Sequence, residues 1–226
     1  MLRTILFKIL RSPKKVLALI KKCYSKKNGR WFSPFLYLLK SFTSNKKNAL
    51  LIPKKDADLF LSMLLLTPQL AYKTSNIPYP FFSEFFNRFP DQKNRLVELI
   101  IENKFVHPHT EYFVLSIFSK CCSPLSETFE LLFQFYFKAI KRYPQWYSRV
   151  ICISFFIENI GLLKSDKAKR DKLLKHLGNA ENFHNEIERR YNLSLIHELS
   201  IYKEAKSLIE KVYNYPTDLK FIDYLS

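Results

Sequence analysis

The stretch that decides the fold class is residues 125–143, LSETFELLFQFYFKAIKRY, which contains neither glycine nor proline. Apolar side chains recur in it three and four residues apart, as at Phe129, Leu132, Phe133 and Tyr136. This spacing is typical of an amphipathic helix and differs from the strict alternation of a half-buried strand. The stretch therefore predicts a long helix that ends before Pro144, since proline cannot continue a helix.

The rest of the chain has the same character. From residue 56 onward the sequence contains only two glycines, Gly161 and Gly178. Phosphate-binding loops and two-residue β-hairpins need several glycines at fixed positions, so both are excluded here. We predict an all-α protein in which residues 56–226 form a single helical domain, an irregular helical-repeat solenoid or bundle built from αα-hairpins.

Several helix ends can be placed from local signals. A helix is predicted to begin at Ala57, and another to follow Ser165 or Asp166, either of which can cap it. Gly161 and Gly178 are predicted to end the helices that precede them. Two more helices are predicted from about residue 180 to 191 and from about 194 to 214.

An internal period of 36 residues relates two of these hairpins. The sequences NKFVHPHTEYFVLSIFSK and IKRYPQWYSRVICISFFI align with Pro108 over Pro144, and Val114 then falls over Val150. Each proline is predicted to lie in a loop between two helices. Self-similarity at such a period is the signature of stacked helical repeats.

Over residues 91–177 this pattern resembles a degenerate pentatricopeptide repeat. That resemblance implies antiparallel helix pairs that stack into a solenoid and bind single-stranded RNA in organelles. In that family two positions read the base, and they correspond here to Val114 or Val150 and to His109 or Gln145. Valine cannot hydrogen-bond to a base edge, so we expect base-specific readout to be lost from these repeats, leaving a scaffold or a contact to the RNA backbone.

Charge is strongly segregated along the chain. The formal net charge is +17, and the first 55 residues hold 15 Lys or Arg and no Asp or Glu. Residues 1–12 have a helical apolar stripe with a cationic face, which is typical of a mitochondrial transit peptide. We predict a transit peptide over residues 1–24, cleaved after Tyr24, and hence a mitochondrial matrix protein. The alternative is a solvated basic tail or a nucleolar address.

Residues 25–55 form a basic segment rich in aromatic side chains. Its aromatic residues could stack on bases while its lysines contact phosphates. We favour the alternative that the aromatic face docks on protein, because its spacing has the helical period. The whole chain contains 21 Phe and 13 Tyr, more than one core is expected to bury. The surplus also predicts an exposed apolar patch. The predicted partner-binding residues are Trp31, Phe32, Phe35, Phe81, Phe82, Phe85 and Phe86.

A second basic cluster lies in the sequence LLKSDKAKRDKLLKHL, residues 162–177, and in the hairpin before it. Its cations are predicted to form a surface for RNA phosphates, although a solvated helix face is the alternative. The predicted RNA-binding residues are Lys138, Lys141, Arg142, Lys164, Lys167, Lys169, Arg170, Lys172 and Lys175.

No residue pattern indicates catalysis or a cofactor. No CxxC pair occurs, and Cys121, Cys122 and Cys152 are predicted to be small buried apolar residues. The two histidines of HPH, His107 and His109, lack a nearby third ligand, so no metal site is predicted. The acids of FHNEIERR, residues 183–190, are predicted to be an ordinary solvated stripe.

Together these features predict a non-catalytic factor of mitochondrial gene expression, acting in RNA stability, processing or translation, with no small-molecule substrate and no cofactor. It would bind RNA or the mitochondrial ribosome, or serve as the partner subunit of an RNA-binding protein. The alternative is an assembly factor or chaperone for a respiratory-chain complex, in peripheral contact with the inner membrane.

Overall fold

A computed structural model describes residues 12–25, 29–65, 77–102, 108–122, 125–139, 146–178 and 186–213. Within these ranges, only the backbone is described for residues 29–34, 108, 109, 139, 146 and 210–213. Every regular element in these ranges is a helix, which confirms the all-α class. None of them is long and apolar enough to cross a membrane.

The chain divides into two compact units, Met1–Ser123 and Pro124–Ser226. The sequence analysis predicted a single domain over residues 56–226. The contacts instead group residues 56–123 with the N-terminal helices, because the phenylalanine-rich helices of that region bury their apolar faces against elements before residue 56.

The first helices described in the first unit are α1, Pro13–Ser25, and α2, Gly29–Thr43, which pack against each other. Two 3₁₀ helices follow, Lys46–Leu51 and Lys54–Asp56. Asn45 caps the first of them by accepting a hydrogen bond from the Lys47 backbone N–H at 3.0 Å. The buried Asn48 side chain donates to the carbonyl of Phe42 at 2.7 Å and so fixes this 3₁₀ helix to the end of α2.

The other helices described in the first unit are α3, Ala57–Leu65, α4, Tyr79–Arg88, α5, Pro90–Glu102, and α6, Pro108–Cys121. Helix α4 lies at its centre and packs on the first 3₁₀ helix, on α5 and on α6. The core is a cluster of aromatic rings whose centroids lie 5.1 to 6.3 Å apart. Its members are Phe42, Phe60, Phe81, Phe82, Phe85, Phe86, Phe89 and Phe113.

The second unit contains α7, Leu125–Ala139, α8, Trp146–Glu158, α9, Ile160–Ser165, α10, Lys167–Leu177, α11, Glu186–Glu198, and α12, Lys203–Tyr213. Helix α8 is central and packs on α7 and α11. A second ring cluster joins α7 to α8 through Phe129, Phe133, Tyr136 and Phe156, with centroids 5.2 to 6.0 Å apart.

Several predicted helix ends are confirmed and others are wrong. A helix begins at Ala57, Asp166 caps α10, and Gly178 ends it. Gly161 does not end a helix, since it lies inside α9, and the position that a Cβ would occupy there is open space. The predicted break near residue 192 is also wrong, because α11 continues to Glu198.

The repeat arrangement stays a prediction. Pro108 is the first residue of α6 and not a loop residue, and Pro144 lies outside the described residues. The two aligned helices, α6 and α8, belong to different compact units. Ile117 and Ile153, which are 3% and 0% exposed, are at corresponding positions, so their likeness follows from the apolar faces of two core helices.

Candidate functional site

The predicted RNA-binding surface on α10 is partly neutralised by its own helix and by α7. The Lys169 Nζ lies 2.5 Å from an Asp166 carboxylate oxygen and 3.1 Å from one of Glu130. The hydrogen bond to Asp166 raises the pKa of Lys169, and the same bond lowers the pKa of Asp166. Lys169 is therefore committed to two carboxylates and is poorly placed to bind a phosphate.

Arg170 is a structural residue, which corrects its predicted role. It is buried, and one guanidinium nitrogen donates to the carbonyl of Lys164 at 3.0 Å. Its guanidinium carbon lies 3.8 Å from the centroid of the Tyr202 ring, and the Tyr202 hydroxyl donates to the same carbonyl at 3.1 Å. Arg170 thus joins α9, α10 and the start of α12 and cannot reach an external phosphate.

The other predicted cations have mixed positions. The Lys172 Nζ lies 4.3 Å from the centroid of the Phe137 ring. Lys164 is half-buried, whereas Lys138, Lys167 and Lys175 are exposed, and the exposed Asp171 stands on the same face of α10, one turn from Lys167 and Lys175. Lys141 and Arg142 lie outside the described residues. The structure therefore leaves a weaker cationic field on α10 than the sequence predicted.

The first unit carries a stronger concentration of unneutralised charge. Eight of its lysines are exposed and make no ion pair with any described residue. We call them the N-terminal cationic surface: Lys14, Lys15, Lys22, Lys40, Lys46, Lys47, Lys54 and Lys55. Asp56, the first acidic residue of the chain, is occupied by Lys21, whose Nζ lies 2.8 Å from it. No carboxylate before residue 56 is available to neutralise the eight lysines.

The register of α1 explains why its lysines face water. Val16, Leu17, Ile20 and Cys23 recur at helical spacing and are all buried. Lys14, Lys15, Ala18 and Lys22 fall on the opposite side of the helix and are all exposed. Docking of the apolar stripe against α2 thus orients the cationic stripe toward solvent.

The elements that carry the surface are held close together. Helix α1 packs on α2, and both pack on the first 3₁₀ helix. Arg88, at the end of α4, donates to the carbonyls of Ala49 and Leu50 and so anchors that 3₁₀ helix to the phenylalanine core. Lys54 and Lys55 lie on the second 3₁₀ helix, which packs on α3. The eight lysines are therefore carried by packed helices of the first unit.

Two exposed apolar side chains accompany these lysines. Tyr37 on α2 is 59% exposed, and Leu50 on the first 3₁₀ helix is 51% exposed. The sequence analysis placed aromatic residues, Tyr37 among them, together with lysines in this segment but did not count Tyr37 among the partner-binding residues or predict its exposure. The signal that could have found it is its position, since Tyr37 falls opposite the buried stripe of Phe35, Leu38 and Phe42.

The predicted partner-binding phenylalanines are in the core. Phe81, Phe82, Phe85 and Phe86 are 0 to 4% exposed, so the prediction that they form an exposed apolar patch is wrong. The physical reason is that α4 is covered on two sides, by the first 3₁₀ helix and by α6. Phe35 is 4% exposed, in agreement with the favoured alternative that the aromatic face of its helix docks on protein. The side chains of Trp31 and Phe32 lie outside the described residues.

The cysteines do not form a reactive centre. Burial raises the pKa of Cys121 to about 11 and that of Cys122 to about 12. A thiolate is the nucleophilic form, and these thiols stay protonated at neutral pH. Cys122 and Cys152 are buried as predicted, whereas Cys121 is only half-buried. Within the described ranges no three side chains among His, Cys, Asp and Glu cluster as metal ligands would.

A buried ion pair in the second unit was missed by the sequence analysis. Arg149 on α8 and Glu188 on α11 form two hydrogen bonds of 2.5 and 2.9 Å, and both side chains are 2% exposed. Glu188 was predicted to belong to a solvated stripe, and this is wrong. Burial, with the Glu188 carboxylate nearby, raises the pKa of Tyr136. Because the guanidinium holds both carboxylate oxygens, Glu188 is a packing residue and not a general base.

The Arg149–Glu188 ion pair, the cysteines, Lys169 and Arg170 therefore serve the fold. Among the described residues, the N-terminal cationic surface holds the largest set of exposed lysines without an ion pair. Comparison of the chain with protein-family models, with curated proteins and with solved structures finds no match.

Proposed function

We propose that this protein is a non-catalytic helical factor of mitochondrial gene expression that binds RNA through the N-terminal cationic surface. The observation that carries the proposal is the set of eight exposed lysines that have no carboxylate partner in the part of the chain that the structure describes. The role could lie in RNA stability, processing or translation, exercised on RNA directly, on the mitochondrial ribosome or as the partner subunit of an RNA-binding protein.

Electrostatics support RNA as the ligand. A lysine that neutralises a phosphate releases a condensed counterion, so affinity falls steeply with salt whatever the base sequence. Carboxylates of the protein that paired with these lysines would reduce the affinity gained from counterion release. The first 55 residues contain no Asp or Glu. The eight side chains of this surface are lysine ammonium groups, and none is an arginine guanidinium, whose planar set of donors suits base edges. This favours contact with the RNA backbone over recognition of bases.

The burial of Val114 supports the same mode of binding. It occupies a position at which a pentatricopeptide-like repeat would read a base, yet its side chain is 0% exposed. A buried valine has no access to RNA and no polar atom. If the second half of the first unit descends from a repeat of that kind, its base-reading function has been replaced by core packing, and the lysines provide the contact.

The proposal can be tested by the salt dependence of RNA binding. A surface variant carries Lys46→Gln, Lys47→Gln, Lys54→Gln and Lys55→Gln, and a control carries Lys167→Gln, Lys175→Gln, Lys203→Gln and Lys206→Gln. All eight lysines are exposed, and both variants lose four charges. Fluorescence anisotropy with a labelled oligouridine over a range of KCl concentrations gives the slope of log affinity against log salt.

We expect the surface variant to lose up to about 3 units of that slope, since each phosphate contact on a single strand contributes about 0.7. The control should keep nearly the full slope. Equal losses in both variants would show that only net charge matters, and the proposed surface would be rejected. Crosslinking of the tagged protein to RNA inside isolated mitochondria then tests the location and the role.

A second function is favoured by Tyr37 and Leu50. Aromatic and aliphatic side chains surrounded by lysines are typical of surfaces that rest on anionic lipid headgroups. An assembly factor for a respiratory-chain complex, held against the inner membrane, would use them in this way. Leu50→Ser separates the two functions, because leucine inserts into a membrane interface but does not stack on a base. Reduced flotation with cardiolipin-containing vesicles, with RNA affinity unchanged, would favour the assembly factor.

A further inference from the structure

We infer that α1, Pro13–Ser25, remains part of the functional protein and that any proteolytic processing falls at or before Pro13. The sequence analysis predicted cleavage after Tyr24, which would remove nearly all of this helix. The inference goes beyond the proposed function, because it concerns which residues the mature chain contains and does not depend on an RNA ligand.

The apolar face of α1 is an integral part of the core. Val16, Leu17, Ile20 and Cys23 are 3, 7, 0 and 8% exposed, and the helix packs on α2 and on the first 3₁₀ helix. The Tyr24 ring lies 5.9 Å from the ring of the buried Phe35. A transit peptide needs its apolar face only for import, whereas this face is complementary to residues that remain after import.

A polar contact across the predicted cleavage site gives independent support. Lys21 lies within the predicted leader, and its ammonium group pairs at 2.8 Å with Asp56, whose side chain is only 13% exposed. Asp56 directly precedes α3. Removal of α1 would leave this carboxylate without its cation in a largely buried position, which is destabilising.

Retention of α1 also preserves the distribution of charge. Three of the eight lysines of the N-terminal cationic surface, Lys14, Lys15 and Lys22, lie on its solvent face. The same helix therefore has an apolar side that completes the first unit and a cationic side that remains available to a ligand. A chain beginning at Ser25 would lose both.

The N terminus of the endogenous protein decides the matter. Chemical labelling of free amino termini in a mitochondrial or whole-cell extract, followed by mass spectrometry of the labelled peptides, identifies the first residue. We expect a species that starts at or before Pro13. A dominant species that starts after Pro13, at Ser25 in particular, would overturn the inference. RNA binding plays no part in this measurement, so its outcome is separate from that of the proposed function.

A matched pair of substitutions tests the packing on which the inference rests. Ile20→Glu places a charge in the core, whereas Ala18→Glu places the same charge on the exposed side of the same helix. In the purified full chain we expect Ile20→Glu to lower the unfolding midpoint by at least about 8 °C and Ala18→Glu to change it little. An unchanged midpoint in Ile20→Glu would show that α1 is not part of the core and would overturn the inference.

Discussion

At the scale of single residues, the polar side chains that matter most for the fold are Arg149 and Glu188. Their side chains are 2% exposed, yet both are charged, so each depends on the other to offset the loss of water. Glu186, two residues earlier on α11, is exposed and forms only a loose pair with Arg190 at 3.7 Å. The contrast shows that position on the helix, and not residue type, decides what a glutamate does here.

We expect Glu188→Ala to lower the free energy of unfolding by about 3 to 5 kcal/mol, because it removes the carboxylate that pairs with a buried guanidinium. Glu186→Ala should change it by less than about 0.5 kcal/mol. Urea unfolding followed by circular dichroism measures both. The double substitution Arg149→Met with Glu188→Leu should recover much of the loss, and a double variant as unstable as Glu188→Ala would contradict this account.

The burial of Glu188 is a feature that the sequence alone could not predict. The run HNEIERR contains four charged residues in seven, and nothing in it marks Glu188 as different from its neighbours. Its burial is decided by α8, which contacts α11 from 39 positions earlier in the chain. The same limit applies to Phe81 and Phe85, whose surroundings are set by the 3₁₀ helix and α6. Periodicity identifies a face, but only the packing partner determines whether that face is buried.

At the scale of secondary-structure elements, the sequence predicted helix ends well where one capping residue determines the end through its own local hydrogen bond. Asp166 accepts a hydrogen bond from the Lys169 backbone N–H at 3.0 Å, and Gly178 donates to the carbonyl of Leu174 at 2.9 Å. Between α11 and α12 no glycine or proline marks the break, so its position could not be predicted. Gly161 shows the converse, because a glycine in open space permits a helix end but does not require one.

The N-terminal cap of α10 should make stability depend on pH in a defined direction. Hydrogen bonds from Lys169 lower the pKa of Asp166 below its usual 3.8, and the Glu130 pKa is lowered by Gln134 and by Lys169. A carboxyl group whose pKa is lowered in the folded state stabilises the protein at pH values above its usual pKa. That stabilisation is lost as the pH falls through the lowered pKa.

We therefore expect Asp166→Asn to be less stable than the unaltered chain at pH 7 and the difference to vanish as the pH falls through the lowered pKa of Asp166. Asparagine can still cap the helix, so the substitution removes the charge and keeps the hydrogen-bond acceptor. Thermal unfolding at several pH values measures the difference. A difference in stability between the two proteins that stays constant with pH would mean that the charge of the Asp166 carboxylate contributes nothing to stability.

At the scale of the whole molecule, charge follows the division into two units. The first unit has 21 Lys and Arg against 7 Asp and Glu, and the second has 16 against 13. Each unit also has its own aromatic core. The sequence showed the charge asymmetry clearly, but it placed the boundary at residue 56, where the composition changes, because a change in composition does not reveal which helices share a core.

We expect residues 1–123 and residues 124–226, produced separately, to be helical and to unfold cooperatively, since each contains a complete core. The first fragment should keep most of the salt-dependent RNA binding, and the second should keep little. Circular dichroism with thermal unfolding and RNA titration of each fragment measure these properties. Failure of either fragment to fold would contradict the independence of the two cores, and equal RNA binding by both would contradict the assignment of the surface.

The protonated state of the adjacent Cys121 and Cys122 has a consequence for how the protein responds to stress. Peroxide and most electrophiles react with sulfur only after the proton has left, and here burial keeps it in place even at mildly alkaline pH. The molecule is thus insulated from oxidative signalling at these two positions.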